Sequence, residues 1–234
     1  KPPHNESDSY KGYPLIPQSE VSKWVKKYAD LNIPIMAHAN GDAAADMLIK
    51  AVKDADITSD HRTIMIHAQT VREDQLDQMN ELKIIPSYFS THTFYWGDWH
   101  RDSVFGQDRA MRISPTKSTL SRKMPFTVHN DAPVVPPDMI RLLWSTTNRK
   151  TRSGKVLGEE QKISTYEALK AITINAAYQH FEDDIKGTIE VGKLADLVVL
   201  SENPLSMQTQ DLLNLSIIAT YSHGQKIYQA ASEK

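Results

Sequence analysis

Cysteine is absent from all 234 residues. That excludes disulfide stapling, thiolate metal sites and a cysteine nucleophile, so any metal must be held by histidine and carboxylate. A charge excess of one sign is lacking too: 27 Lys+Arg stand against 29 Asp+Glu, a formal charge of −2 at a pI near 6.5. Without a long Lys/Arg run there is no electrostatic footprint for nucleic acid or an acidic membrane, and neither is expected as a partner. Apolar runs such as Leu197 to Leu200 and Leu215 to Ala219 are strand-length, well short of the roughly 20 residues of a membrane span. A soluble chain is expected. There is no GxSxG elbow and no GxGxxG, and Ser153-Gly154-Lys155 lacks the upstream glycine of a phosphate-cradling loop. Small-molecule chemistry without a nucleotide is the class left. The chain begins at Lys1 rather than Met with no signal-like segment after it, which reads as a processed end, an expression boundary or a cleavage point.

What is present is alternation. Residues 1–18, with Pro2, Pro3, Pro14 and Pro17, read as an extended lead-in. Ser19 then reads as the N-cap of a helix whose apolar positions Val21, Trp24, Val25, Tyr28 and Leu31 recur at helical spacing. Ile33 to Ala37 reads as a short strand ending on His38, and Asn40-Gly41-Asp42 opens a helix to about Ala55. Thr63 to Ile66 is a second strand, ending on His67, and Thr70 with Glu73 forms a capping box for a helix through Leu82. Lys83 to Pro86 and Phe126 to His129 are the third and fourth strands, the last meeting Asn130-Asp131. Between them, seven of the 18 aromatics (Tyr88, Phe89, Phe94, Tyr95, Trp96, Trp99 and Phe105) crowd into residues 88–105. This stretch reads as a pocket wall or lid, or else as local packing. A helix over Asp138 to Asn148, a polar loop from Arg149 to Lys162, and a Ser164/Glu167-capped helix to about Phe181 follow. From Gly187 the texture turns to β: strands at Asp196 to Ser201 and Ile217 to Tyr221, with Gly224 to Tyr228 closing a hairpin. Strand and helix in alternation imply βαβ units and a parallel sheet, because a parallel connection must be long enough to hold a helix.

Three polar residues stand at strand ends: His38, His67 and Asp131. In a parallel barrel such ends converge on one rim, so residues far apart in sequence meet there. Two imidazoles and a carboxylate suit Zn²⁺ or a related divalent ion with an open position for water. Singly, each is read as readily as a hydrogen-bonded structural residue. His129 shares a strand face with Asp131 and is either a further pocket residue or a structural one. His92 and His100 are open between substrate contact and a surface loop, and Arg109 and Arg112 between a substrate carboxylate and surface ion pairs.

At these residues the sequence resembles the metal-dependent amidohydrolase superfamily, in particular amidohydrolase family 3, which includes N-substituted formamide deformylase-like enzymes. The segments that carry it are IMAHANGDAAADMLIKAV, HRTIMIHAQ, PFTVHNDAPVVPP, EALKAITINAA and GTIEVGKLADLVVLSENPL, in order and spacing from about residue 12 to 228. The resemblance implies a distorted (β/α)₈ barrel with a small β-sandwich and a site of one or two metal ions. His38 and His67 match the ligands after strands five and six. Asp131 matches the strand-eight aspartate that binds metal and shuttles the proton. His92, Trp96 in the aromatic segment, and Arg109 then fall on the substrate side. The implied reaction is metal-assisted hydrolysis of a non-peptide, amide-type C–N bond in a small molecule.

The departures are specific. The family's strand-one His-x-His pair is missing, since no two of the nine histidines stand two apart, and no strand-four lysine or glutamate is matched. Although 234 residues approach the roughly 250 of a complete barrel, the strand ends account for only half of one. The expectation is an α/β chain holding strands five to eight of a TIM-type barrel over residues 1–186, with part of a small β-sandwich over 187–234. Its open edges predict self-association or a complementary amino-terminal half. The alternative from another class is a catalytically inactive fragment, or a binding or structural module.

Overall fold

A computed structural model describes residues 13–231; Pro2 and Pro3 of the expected lead-in lie outside them. The first layer is a parallel sheet of β1 (Met36–Ala39), β2 (Ile64–His67), β3 (Ile85–Tyr88) and β4 (Thr127–Val128), in the order β1-β2-β3-β4. The crossovers hold α2 (Asp42–Ala55) and α3 (Glu73–Glu81), with α1 (Gln18–Asp30) ahead of them packed on α2. On α2 the apolar residues Ala45, Leu48, Ile49, Val52 and Ala55 recur every three or four positions and are all buried, so one stripe docks while Lys50 and Asp54 pair on the outside. Asp42 in its first turn and Lys53 in its last favour the helix dipole. β2 is almost continuously apolar because both of its faces are covered.

Register decides which side chains share a face. His38 lies opposite Ile66, Ile66 opposite Ser87, and Ser87 opposite Thr127. The alternate set, Met65, Tyr88 and Val128, enters the main apolar core with the buried faces of α2 and α3. Among the described residues the outer edges of β1 and β4 pair with no strand. Met36 on β1 is 52% exposed.

After β3 come α4 (His92–Trp99), a π-helical turn over His100–Val104, α5 (Gly106–Met111) and α6 (Thr116–Ser121). The aromatic segment is therefore a helical wall, and it is tied down rather than hinged. The Asp98 carboxylate accepts from the hydroxyls of Thr151 (2.9 Å) and Ser153 (2.7 Å). Arg149, 1% exposed, donates to the carbonyls of Ile113 (2.7 Å), Ser114 (3.0 Å) and Leu157 (2.8 Å). These bonds fasten the polar loop to the wall. α7 (Met139–Asn148), α8 (Thr165–Ile172) and α9 (Ile174–Gln179) follow, and then an antiparallel sheet of β5 (Leu197–Leu200), β6 (Ile217–Ser222) and β7 (Gln225–Gln229). Leu212 and Leu215, between β5 and β6, are buried in the same core as α7 and α8.

Several local expectations are corrected. Pro17, not Ser19, occupies the N-cap of α1, where its fixed φ suits the entry. Helix α3 is opened by Gln75, whose side chain accepts from the Arg72 backbone N–H at 2.9 Å; Thr70 instead donates to the Asn40 carbonyl at 3.0 Å. β3 begins at Ile85 and β4 comprises only Thr127 and Val128. The Ser164 cap is present, its hydroxyl accepting from Glu167 N–H at 3.3 Å, but the helix breaks at Thr173, whose φ of −125° and ψ of −97° leave the helical region.

Candidate metal centre

The carboxyl ends of β2 and β4 bring His67, His129 and Asp131 together, each offering one ligand atom within 4.8 Å of the others. Strand alternation alone would put His67 on the helix side with Met65. Its φ of 72° breaks that alternation, and its ring stands edge-on to that of His38, centroids 4.5 Å apart. Asp131 also takes a left-handed φ, 53°. Left-handed non-glycine residues are uncommon and concentrate at functional sites. His38 is exposed on the edge strand and flanks the trio through His67. His129, by its sequence either a pocket residue or a structural one, comes within 3.2 Å of His67 Nδ1 through Nε2.

A hydroxyl chain holds the His129 ring from the Nδ1 side. Thr127 Oγ1 lies 2.8 Å from both Gln179 Oε1 and Ser87 Oγ. Thr127 is the donor in both contacts, its one proton shared between the amide oxygen of Gln179 and the Ser87 hydroxyl. Ser87 Oγ lies 2.9 Å from His129 Nδ1, and Nε2 on the other side of the ring faces His67 Nδ1 at 3.2 Å. Two nitrogens bound to one tetrahedral zinc at about 2.0–2.1 Å stand roughly 3.3 Å apart, and the two ring nitrogens are at that spacing. The donors present therefore fit a divalent ion, with Ser87 as the outer partner that sets ring orientation. Burial pushes the His129 pKa down to about 4, His67 adding to this and Asp131 opposing it. Burial and then His38 push His67 down as well, against Asp131. Both rings are neutral at neutral pH, as ligands must be.

The residues expected on the substrate side fall on the wall and beside it. The His92 ring lies 4.5 Å from Trp96 and 4.7 Å from Phe89, and Phe89 stacks on His129 at 5.6 Å. His100, 4% exposed, is buried rather than on a surface loop, with Nε2 2.8 Å from His92 Nδ1 and Gln69 beside both. The legible signal for this group was spacing: 92, 96 and 100 fall on one helical stripe. Gln69 had no sequence signal. Arg109 stands beside Asp42, whose pKa is raised by burial against the pull of Arg109 and Arg72. Arg112 is ion-paired with Glu73 at 2.7 Å.

Fold and site together define an α/β protein with a histidine–carboxylate cluster, of a kind that could hold a metal ion, at the ends of parallel strands. The chain belongs to the amidohydrolase family, whose model matches residues 3–228. It is 25% identical over 228 residues to the N-substituted formamide deformylase of Arthrobacter pascens, covering 97% of this chain and 42% of that protein. It also resembles the solved structure of an uncharacterized metal-dependent hydrolase from Pyrococcus furiosus, at 25% identity and a TM-score of 0.72, over 88% of this chain and 41% of the other. An adenosine deaminase from Xanthomonas campestris with bound zinc shares the fold at 16% identity and a TM-score of 0.64, over 90% of this chain and 49% of that one. The chain thus spans less than half the length of the deformylase and the Pyrococcus hydrolase.

Proposed function

We propose that this chain supplies the greater part of a metal site for hydrolysis of a non-peptide, amide-type C–N bond in a small molecule. The observation that carries the reading is the approach of His67, His129 and Asp131 to within 4.8 Å, with His38 in ring contact with His67. His38, His67 and Asp131 are the ligands expected from the family pattern, and His129 joins them. Nitrogen and oxygen donors of this kind favour zinc among divalent ions. When bound, the ion lowers the pKa of water and polarises the substrate carbonyl. Asp131, exposed at the rim, accepts the proton of the attacking water and passes it to the leaving nitrogen. His92 and Trp96 orient the substrate from the wall, and Arg109 holds a polar substituent.

The same reading takes β1 to β4 as strands five to eight of a barrel, and β5 to β7 as part of the accompanying sandwich. In its support, both sheet edges are open among the described residues and the relatives are more than twice as long. The missing strand-one pair and strand-four bridge would then come from further chain, and the open edges would be covered by that chain or by a second copy. The experiment is metal analysis with an amide-hydrolysis screen on the full-length protein and on this chain. Metal and turnover in the full-length protein support the reading. A full-length protein that is metal-free and inactive after zinc reconstitution defeats it and favours a binding or structural module.

A further inference from the structure

We infer that His100 and Gln69 are positioning residues that hold His92 in a single tautomer, Nδ1 bare and Nε2 protonated, so that the wall offers an N–H donor to the substrate oxygen. The inference rests on the proposed hydrolase reading only for the word substrate; the tautomer follows from the hydrogen bonds.

Two neighbours converge on His92 Nδ1. First, His100 is 4% exposed and its Nδ1 has no partner among the described residues. A buried orphan N–H is rarer and costlier than a buried orphan acceptor. The His100 proton therefore sits on Nε2, where His92 Nδ1 lies 2.8 Å away to accept it. Second, the Gln69 amide nitrogen, which only donates, stands 3.1 Å from the same His92 Nδ1. Its 3.3 Å separation from His100 Nε2 is that of two donors converging on one acceptor. Both partners require Nδ1 to be bare, and a neutral ring must then carry its proton on Nε2. The ring is neutral, because burial and the neighbouring His100, His67 and His129 hold its pKa at about 3. Phe89 and Trp96 pack on it, and His100 is itself clamped by stacking on Phe105, centroids 4.9 Å apart at 11°. The π-helical turn that begins at His100 is of a kind found often at functional sites. A carbonyl oxygen gaining negative charge during hydrolysis is what a fixed N–H donor stabilises.

The test is a long-range ¹H–¹⁵N correlation spectrum of the histidine rings in the full-length protein, with the His92 signals assigned by their loss in His92→Phe. The expected result is a protonated Nε2 and a bare Nδ1. His100→Gln keeps a donor amide near the place of Nε2 and should preserve both the tautomer and kcat within a few-fold. His100→Leu should give a tautomer mixture and lower kcat by about 10-fold, a part of the 10²–10³ that one such donor is worth. A wild-type spectrum with Nδ1–H, or a His92 tautomer unmoved in His100→Leu, overturns the inference. The spectrum decides it without turnover, whereas loss of the hydrolase reading would appear as absent metal and absent hydrolysis in the wild type.

Discussion

His129 Nε2 lies 3.2 Å from His67 Nδ1, although the two residues are 62 positions apart in the chain. One ends a parallel strand and the other follows a strand two places along the sheet, so only the common direction of the strands brings them together. The pair has consequences for metal binding, pH and stability.

If both rings hold the ion, His67→Asn and His129→Asn should each weaken zinc affinity on the order of 100-fold in the full-length protein. Ser87→Ala, which removes the hydroxyl that orients His129, should weaken it about 10-fold. Competition with a chromophoric chelator measures all three. A His129 variant of wild-type affinity would remove that ring from the site.

Asp131→Asn keeps an oxygen donor but loses the proton acceptor. The expected result is a fall in kcat of about 10²–10⁴ with most of the metal retained, read from steady-state kinetics and metal analysis on the same sample. Trp96→Ala should instead raise KM more than it lowers kcat, because it removes contact area and no proton-transfer group.

His92, His100 and His129 sit at about 3, 4 and 4, mainly through burial. In the unfolded chain they titrate near 6.5. Below that value the unfolded state takes up protons that the folded state refuses, so these residues favour folding fully above pH 6.5. That contribution is lost as pH falls toward about 4 and below. The urea midpoint in metal-free buffer should therefore drop between about pH 7 and about pH 5. It should drop less steeply in His100→Gln, which has one fewer buried imidazole.

Arg149 feeds three carbonyls from a fully buried position. Arg149→Met leaves them without a donor and should cost about 3 kcal/mol, less than the sum of three bonds because the desolvation of the charge is also relieved. Arg149→Lys should not restore the loss, since an ammonium lacks the planar fork. Urea unfolding at neutral pH measures both.

The glycine at 158 marks the same junction. Its φ is +77°, and an added Cβ would lie 1.9 Å from the Met111 carbonyl oxygen. Gly158→Ala should destabilise by about 2 kcal/mol or more, with the damage local to the polar loop and the end of α5. Hydrogen exchange of the amides around Arg149 and Leu157 would report it.

The alternation of apolar runs and helical stripes sufficed for an α/β chain with a parallel sheet, and for placing His38, His67 and Asp131 at strand ends. Those features are local: periodicity, turn chemistry and crossover length are written in adjacent residues. Strand limits slipped by one to three residues, the most at the start of β1, which opens at Met36 and not Ile33, because the last pairs of a short strand depend on the neighbour it meets. The aromatic segment reads as a pocket wall or lid, or as local packing, because the eight residues from His92 to Trp99 are aromatic on several sides and show no single apolar face to mark a helix; Asp98, bonded to Thr151 and Ser153, ties that helix to the polar loop. The inclusion of His129 and the turning of His67 out of its strand face were settled in three dimensions. A left-handed φ at His67 and a hydroxyl chain running from Ser87 to Gln179 are properties of chain segments far apart in sequence, and only their packing brings the ring nitrogens face to face.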